Sequence, residues 1–287
     1  MIFLIQLLNG LQLAALLFLL SVGLSVVFGL MRFINLAHGT LFMFGAYLGV
    51  TCAAAFDSFW AAFFLAPLLV AAGGAALYGI LLRHIRRKSP MQQVLVTFGL
   101  IFIGFDVVRM VWGRFPYSIA EPAVFAGSVQ IFGQVYPAYR LFLIALGIAV
   151  MAALYFGLEK TRVGAMVRAG VDNRRMAAAL GINVERVFFF VFCLGCGLAG
   201  LAGVAAAPVF PVFPGMDMSI LILALIVVVV GGPGSLKGAV FGSLLVGVAD
   251  TFGQVVFPEF AAATIYALMA AVLMVRPAGL FPAATVH

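Results

Sequence analysis

Long apolar runs alternate with short polar segments along the whole chain. A helix needs about 20 apolar residues to cross the hydrocarbon core of a bilayer. Runs of that order occupy 11–30, 59–82, 91–112, 140–158 and 187–209, and shorter runs occupy 41–56, 218–230, 239–257 and 260–275. The pattern predicts an all-α fold, a polytopic transmembrane helical bundle of about eight or nine spans. We assign residues 1–287 to a single transmembrane domain.

Two polar segments interrupt the apolar sequence where a helix would still lie within the membrane. Residues 32–40, RFINLAHGT, precede the short run 41–56, and residues 231–238, GGPGSLKG, follow the short run 218–230. Backbone can leave helical geometry at that depth only where protein or a water-lined cavity satisfies its polar groups. Paired interruptions of this kind point to a transport site. The sequence therefore predicts interrupted or re-entrant helices.

Residues at these interruptions, and one acid in the following span, are candidates for a substrate pathway. The candidates are Asn35, His38, Gly39, Gly234, Ser235 and Asp250. The polar side chains near the breaks suit a small zwitterionic or neutral solute better than a multiply charged one. A second interpretation of 32–40 is a tight turn at the membrane surface with Asn35 as a helix cap, and the residues alone favour neither.

The composition assigns the chain to the membrane. Hydrophobic residues make up 66% and charged residues only 9%, which is too little polar surface to cover a soluble globule. The net charge of +7 does not indicate nucleic-acid binding, because ten of the sixteen Lys and Arg residues lie in 83–88 and 160–186, between apolar runs. The positive-inside rule places both blocks in the cytoplasm. The N-terminus is then outside and the C-terminus is cytoplasmic.

The longest polar interruption is residues 159–186, EKTRVGAMVRAGVDNRRMAAALGINVER. Asp172 can cap a short helix over 173–180, Gly181 suits a left-handed stop after it, and Asn183 can cap the next element. Met176 and Leu180 lie on one side of such a helix. The segment fits either a groove on a partner or an amphipathic linker on the lipid headgroups.

No catalytic or metal-binding pattern accompanies these features. The turn GGPGSLKG lacks the GxxxxGK[ST] spacing of a phosphate loop, so the chain cannot hydrolyse ATP alone. The three histidines are scattered, and the three cysteines lie in apolar sequence, where packing is their expected role. We therefore predict that the chain is not an enzyme and holds neither a metal nor another cofactor.

Four stretches carry a resemblance to a known family. They are GLSVVFGLMRFINLAHGTLFMFGAYLG at 23–49, AAALGINVERVFFFVFCLGCGLAGLAG at 177–203, VVVVGGPGSLKGAVFGSLLVGVAD at 227–250 and RPAGLF at 276–281. Together they resemble the inner-membrane permeases of branched-chain amino acid ABC importers, and the H-type subunit more than its M-type partner.

The resemblance implies a bacterial inner-membrane permease subunit for branched-chain or other small apolar amino acids, although similar proteins take short amides or urea. It implies a second homologous permease subunit, two cytoplasmic ATP-binding subunits that use the ATP, an external substrate-binding protein, and contact with lipid. It also makes 159–186 the segment that couples to the ATPase. The coupling residues would be Asp172, Arg174, Ala178, Leu180, Gly181, Ile182 and Asn183.

The physics of the residues also allows a self-contained proton-coupled carrier or a channel. Such a carrier needs its own ionisable groups within the membrane, and Asp106 and Asp250 are the acids that fall inside predicted spans. Uptake by the chain in vesicles without partners or ATP distinguishes the two hypotheses, because only a carrier would be active.

Overall fold

The computed structural model describes residues 2–31, 33, 35–85, 88–131, 133–256 and 258–281. The side chains of six of these lie outside the description, namely Ile2, Leu30, Val171, Asp172, Arg174 and Ala262. The described chain is mostly helical, which confirms the predicted all-α class.

Twelve α-helices follow one another in this part of the chain. They are α1 (Ile2–Met31), α2 (His38–Phe56), α3 (Phe59–Leu77), α4 (Arg83–Ile85), α5 (Pro90–Trp112), α6 (Ala138–Lys160), α7 (Arg162–Asp172), α8 (Arg174–Ala179), α9 (Val184–Ala206), α10 (Met216–Gly231), α11 (Leu236–Val256) and α12 (Ala261–Val275). A π-helical turn joins α3 to α4. Strands β1 (Ser128–Ile131) and β2 (Gln134–Pro137) form an antiparallel hairpin.

Seven helices among the described residues are long and apolar enough to cross a membrane, and two further apolar helices are shorter. The predicted eight or nine spans correspond to these nine segments. Helix α1 begins at Ile2, nine residues before the predicted run, because Gln6 and Asn9 interrupt the apolar pattern without interrupting the helix. Side-chain caps define other starts: Ser58 accepts the N–H of Ala61, and Ser89 forms a capping box with Gln92.

Helix α1 lies in the middle of the bundle and packs against α6, α9, α10 and α11. Small residues bring these helices together. A Cβ on Gly23 would lie 2.9 Å from the Cα of Gly195, and one on Gly45 would lie 2.5 Å from the Cα of Gly200. Without a large hydrophobic driving force between helices in lipid, such close backbone contact is a main source of their association.

The bundle has two ends that differ in composition. At one, which we call the hairpin end, Arg140 at the start of α6 bonds Asn9 near the start of α1, and Tyr117 pairs with Val212 in an isolated β-bridge. The other, the basic end, carries α7, α8 and the last turn of α1. Gly29 of α1 lies there against Gly234, in the segment between α10 and α11.

Candidate functional site

The first interruption lies deep inside the bundle. Helix α1 ends at Met31 and α2 begins at His38, yet Nε2 of His38 is 3.0 Å from the carbonyl oxygen of Leu20. Leu20 precedes the end of α1 by eleven residues, or about 16 Å of helix. The chain therefore turns back into the protein before α2 starts. Asn35 and His38 are 2% and 1% exposed, so the interpretation of this segment as a surface turn is wrong.

The start of α2 contacts the start of α10 through a buried polar pair. Thr40 donates its hydroxyl to Oδ2 of Asp217 at 3.0 Å, and both side chains are buried. Gly39 permits the approach, because a Cβ there would lie 2.6 Å from the carbonyl oxygen of Asp217. Sequence analysis did not identify Asp217, although an acid in the first turn of a helix is a common N-terminal signal.

The second interruption is a tight joint at the basic end. A Cβ on Gly29 would lie 2.3 Å from the Cα of Gly234, and Oγ of Ser25 accepts the N–H of Gly234 at 3.1 Å. Ser235 caps α11 by accepting the N–H of Gly238 at 3.0 Å.

The segment after α12 completes this joint. The N–H groups of Leu280 and Phe281 donate to the carbonyls of Val230 and Gly231, each at 2.9 Å. These carbonyls belong to the last turn of α10, where no partner is available within the helix. The RPAGLF and GGPGS motifs, far apart in sequence, therefore form one structure.

A cavity of about 450 Å³ lies at the hairpin end, between α1, α6, α10 and α11. Its polar lining includes Gln6, Asn9, Gln12, Arg140, Asp250 and Gln254. Arg140 donates from Nη1 to Oδ1 of Asn9 at 2.8 Å, and Gln254 donates from Nε2 to Oδ2 of Asp250 at 2.9 Å. Apolar side chains form the deeper wall, among them Leu16, Phe42 and Ile220.

A larger cleft of about 660 Å³ lies towards the basic end, between α1, α6, α7 and α9. Its lining is almost wholly apolar, with Asn183 and Arg186 among the few polar members. Size alone does not make it the solute site, because a polar solute needs convergent hydrogen-bonding groups. The smaller cavity at the hairpin end provides them.

The basic end presents a short, capped helix. Asn173 is the cap of α8 and accepts the N–H of Met176 at 3.0 Å, so the prediction that Asp172 caps this helix is wrong. Asp172 is the last residue of α7, and its side chain, like that of Arg174, lies outside the described residues. Gly181 has the predicted left-handed backbone, with φ of +84°, and Asn183 caps α9 as predicted.

Apolar side chains of α8 and of the turn that follows it face away from the bundle. Met176 is 58% exposed and Leu180 is 74% exposed, whereas Ala177 is buried. Ala178 is exposed as well, and Ile182 is half-buried. This part of the protein therefore offers an apolar ridge framed by Asn173 and Gly181.

The comparisons with known proteins give the family. A family model described as "Branched-chain amino acid transport system / permease component" matches residues 6–275. The chain belongs to this permease family. LivH of Salmonella typhimurium, a high-affinity branched-chain amino acid transport system permease protein, is 28% identical over 97% of this chain and 95% of its own length. BraD of Pseudomonas aeruginosa, named in the same way, is 29% identical over 96% of this chain and 94% of its own length. The solved structure of PsaBC from Streptococcus pneumoniae in complex with Fab is also similar: the match covers 93% of this chain and 89% of the PsaBC chain, at 16% sequence identity and a TM-score of 0.48.

In this permease the predicted pathway residues lie in three places. Asn35, His38 and Gly39 lie in the bundle interior, Gly234 and Ser235 at the basic end, and Asp250 in the hairpin-end cavity. Along α1 the partners of the two breaks, Leu20 and Ser25, are five residues apart, which is about 8 Å along the helix axis.

The permease cavity also contains residues that sequence reasoning missed, above all Gln12 and Arg140. A signal for Gln12 was present, because Gln6, Asn9 and Gln12 recur every three residues in an apolar run. That spacing places them on one face of a helix.

Proposed function

We propose that the chain is the membrane-spanning permease subunit of an ATP-driven ABC importer for branched-chain or other small apolar amino acids. The relatives described above are named for branched-chain amino acid transport. The observation that carries the proposal is a cavity that opens at one end of the bundle and extends inward beside the interrupted start of α2.

The interruption lies beside the inner part of the cavity. Leu16 and Phe42 line the cavity. Leu20 lies one helical turn beyond Leu16, and its carbonyl contacts His38. Thr40 lies two residues before Phe42 and bonds Asp217. The start of α2 therefore lies beside the inner part of the cavity. We propose that it moves to let a solute pass from the cavity towards the basic end, which is the behaviour of a gate.

The exposed ridge on α8 is the element through which ATP hydrolysis would act. Its apolar residues and capped ends suit a groove on a partner better than open water. We propose that Asn173, Ala178, Leu180, Gly181, Ile182 and Asn183 form the docking element, with Asp172 and Arg174 beside it. ATP is then used by two separate subunits on this side.

The same proposal sets the orientation and the other partners. The cationic blocks place the basic end in the cytoplasm, so the hairpin end faces outward, where a substrate-binding protein would dock. The N-terminus is then outside and the C-terminus cytoplasmic. A second homologous permease subunit would pack beside this one in the bacterial inner membrane.

The deciding experiment is reconstitution of the chain with its partner subunits in proteoliposomes. We expect uptake of leucine, isoleucine or valine that requires ATP and the binding protein together. Short amides and urea serve as competing solutes, because they lack the zwitterion. ATP-independent uptake by this chain alone contradicts the proposal.

A proton-coupled carrier is the second candidate, favoured by two largely buried carboxylates. Asp217 is 2% exposed and Asp250 is 8% exposed, and buried acids within a membrane often belong to proton pathways. A carrier of this kind would take up solute in response to an imposed pH gradient without ATP. The family match favours the importer.

A further inference from the structure

We propose that the hairpin-end cavity is itself a binding site for a zwitterionic α-amino acid, with separate groups for the carboxylate, the ammonium and the side chain. This inference rests on the proposed function, since it assumes that the solute is an amino acid. It assigns recognition to the permease as well as to the external binding protein.

The donor side of the site is formed by α1 and α6. Gln12 is 3% exposed and lines the cavity, yet its Nε2 has no hydrogen-bond partner among the described residues. A buried donor without an acceptor is unfavourable, so it points to a ligand that accepts. Arg140 contacts α1 through Asn9, three residues before Gln12 and on the same face. Its guanidinium has five N–H donors in all, and together with Gln12 it can bind a carboxylate.

The acceptor side is formed by α11. Asp250 lines the same cavity, and its Oδ2 accepts from Gln254. No described side chain donates to its Oδ1, which leaves one carboxylate oxygen for a cation. Arg140 and Asp250 form no ion pair with each other in the described structure. The cavity thus holds both charges without neutralising them internally.

The donor side on α1 and α6 and the acceptor side on α11 lie at a similar depth along the axis of the bundle. Gly247 of α11 packs on α1 at Gly10 and Ala14, since a Cβ on Gly247 would lie 2.6 Å from the N of Ala14. Asp250 is three residues further towards the hairpin end, which is less than one helical turn. Asn9 and Arg140 are therefore across the cavity from Asp250 and within about a turn of it.

The deeper wall selects the side chain. Leu13, Leu16, Phe42 and Ile220 line it, so an aliphatic group gains by leaving water there. A cavity of about 450 Å³ is within the usual range of small-molecule sites, roughly 300–1,000 Å³. The geometry assigns the solute carboxylate to Gln12 and Arg140, its ammonium to Asp250 and its aliphatic side chain to this wall.

The test measures binding to the assembled permease and ATPase complex in nanodiscs, without the substrate-binding protein. Saturation-transfer NMR compares three probes: L-leucine, isopentylamine, which lacks the carboxylate, and 4-methylpentanoate, which lacks the amine. Arg140→Gln should weaken the binding of leucine and of 4-methylpentanoate by about tenfold or more, and it should leave the binding of isopentylamine unchanged. Asp250→Asn should weaken the binding of leucine and of isopentylamine, and it should leave the binding of 4-methylpentanoate unchanged.

Two variants control for effects on folding. Arg109→Gln and Asp106→Asn remove charges on α5 that do not line the cavity, and they should leave all three probes unchanged. An equal loss of binding for all three probes in both Arg140→Gln and Asp250→Asn would overturn the assignment. The absence of any leucine binding signal in the unsubstituted complex would overturn it as well.

The outcome is separable from that of the proposed function. ATP-driven uptake with the binding protein present tests the importer, and the probe pattern tests the site. Normal uptake without the probe pattern rejects the site and keeps the importer. Failure of ATP-driven uptake in the unsubstituted complex rejects the importer whatever the probes do.

Discussion

The two interruptions of the bundle look alike in sequence but are held in different ways. Each joins an apolar run to a second, Gly-containing helix through a short polar segment. At the first, two side-chain hydrogen bonds, from His38 to a carbonyl of α1 and between Thr40 and Asp217, accompany one close contact of Gly39 with the Asp217 carbonyl. At the second, backbones meet directly, with Gly234 against Gly29 and the segment after α12 bonded to the end of α10.

This difference separates a gate from a joint. Side-chain hydrogen bonds can exchange one partner for another without a change in the volume of the segment, so we expect the first break, where they predominate, to move more readily than the second. A backbone contact that only glycine permits has no room to adjust, because a packed interior resists small displacements. The first break is therefore suited to opening and the second to holding α1, α10 and α11 in fixed register.

The largest effect should come from filling the second break. Gly29→Ala puts a methyl group 2.3 Å from the Cα of Gly234, and overpacking of this kind costs roughly 1–3 kcal/mol or more. Gly234→Leu should be worse still, because φ of +78° is unfavourable for a branched side chain. Thermal unfolding of the purified protein in detergent measures both.

The matched control for this prediction is Gly99→Ala in α5, where a Cβ meets nothing within 4 Å. Alanine there should be neutral or slightly stabilising, since it is the better helix former. Equal stability of Gly29→Ala and Gly99→Ala would show that the joint is not tight.

The next effect concerns the polar pair of the first break. Thr40→Val keeps the shape but removes the side-chain hydrogen bond to the buried Asp217 carboxylate, at a cost of about 1–3 kcal/mol. Adding Asp217→Leu should recover part of that loss, because replacing both partners by apolar groups removes the unsatisfied atom. A double-mutant cycle by thermal unfolding measures the coupling between them. Thr264→Val, whose hydroxyl bonds only a carbonyl in its own helix turn, is the control, and a strictly additive cycle argues against the pair.

A smaller, kinetic effect should distinguish the two breaks during turnover. After Cys52, Cys193 and Cys196 are replaced, Asn35→Cys should react with a water-soluble maleimide at least about tenfold more slowly than Ser235→Cys, because open states are minor populations. ATP with a loaded binding protein should speed the reaction at Asn35 and leave Ser235 unchanged. Fast labelling of Asn35 at rest, or acceleration at both positions, contradicts the distinction between gate and joint.

The smallest effect on stability should come from a glycine that is required by backbone angle and not by contact. Gly181 has φ of +84°, and a Cβ there meets nothing within 4 Å. Gly181→Val should therefore cost about 1–2 kcal/mol locally and leave the membrane bundle unchanged. It should reduce stimulation of the ATPase by the binding protein, because the left-handed turn that ends the docking ridge is disturbed. Gly99→Val is the control, and normal coupling in Gly181→Val refutes the role of this turn.

Local features of this permease could be predicted from its sequence. The nine apolar segments, the left-handed Gly181 and the cap at Asn183 each depend on residues within one or two helical turns. The cap of α8 was misplaced by one residue, because Asp172 and Asn173 are both good caps and α7 continues through Asp172. Distant groupings could not be predicted in the same way. Asn9 and Arg140 are 131 residues apart, and Thr40 and Asp217 are 177 residues apart.

The sequence by itself determined that this is a polytopic helical membrane protein, because apolar run length and charge distribution are properties of single segments. It also identified both interruptions, since a polar, glycine-containing segment between apolar runs is visible without a fold. Only the tertiary structure decided that the first interruption is buried beside Leu20 and the second is a joint at the basic end. The depth of a turn and the grouping of Gln12, Arg140 and Asp250 depend on how the helices are packed and in what register. That register comes from glycine contacts between helices far apart in the chain, and no single segment records it.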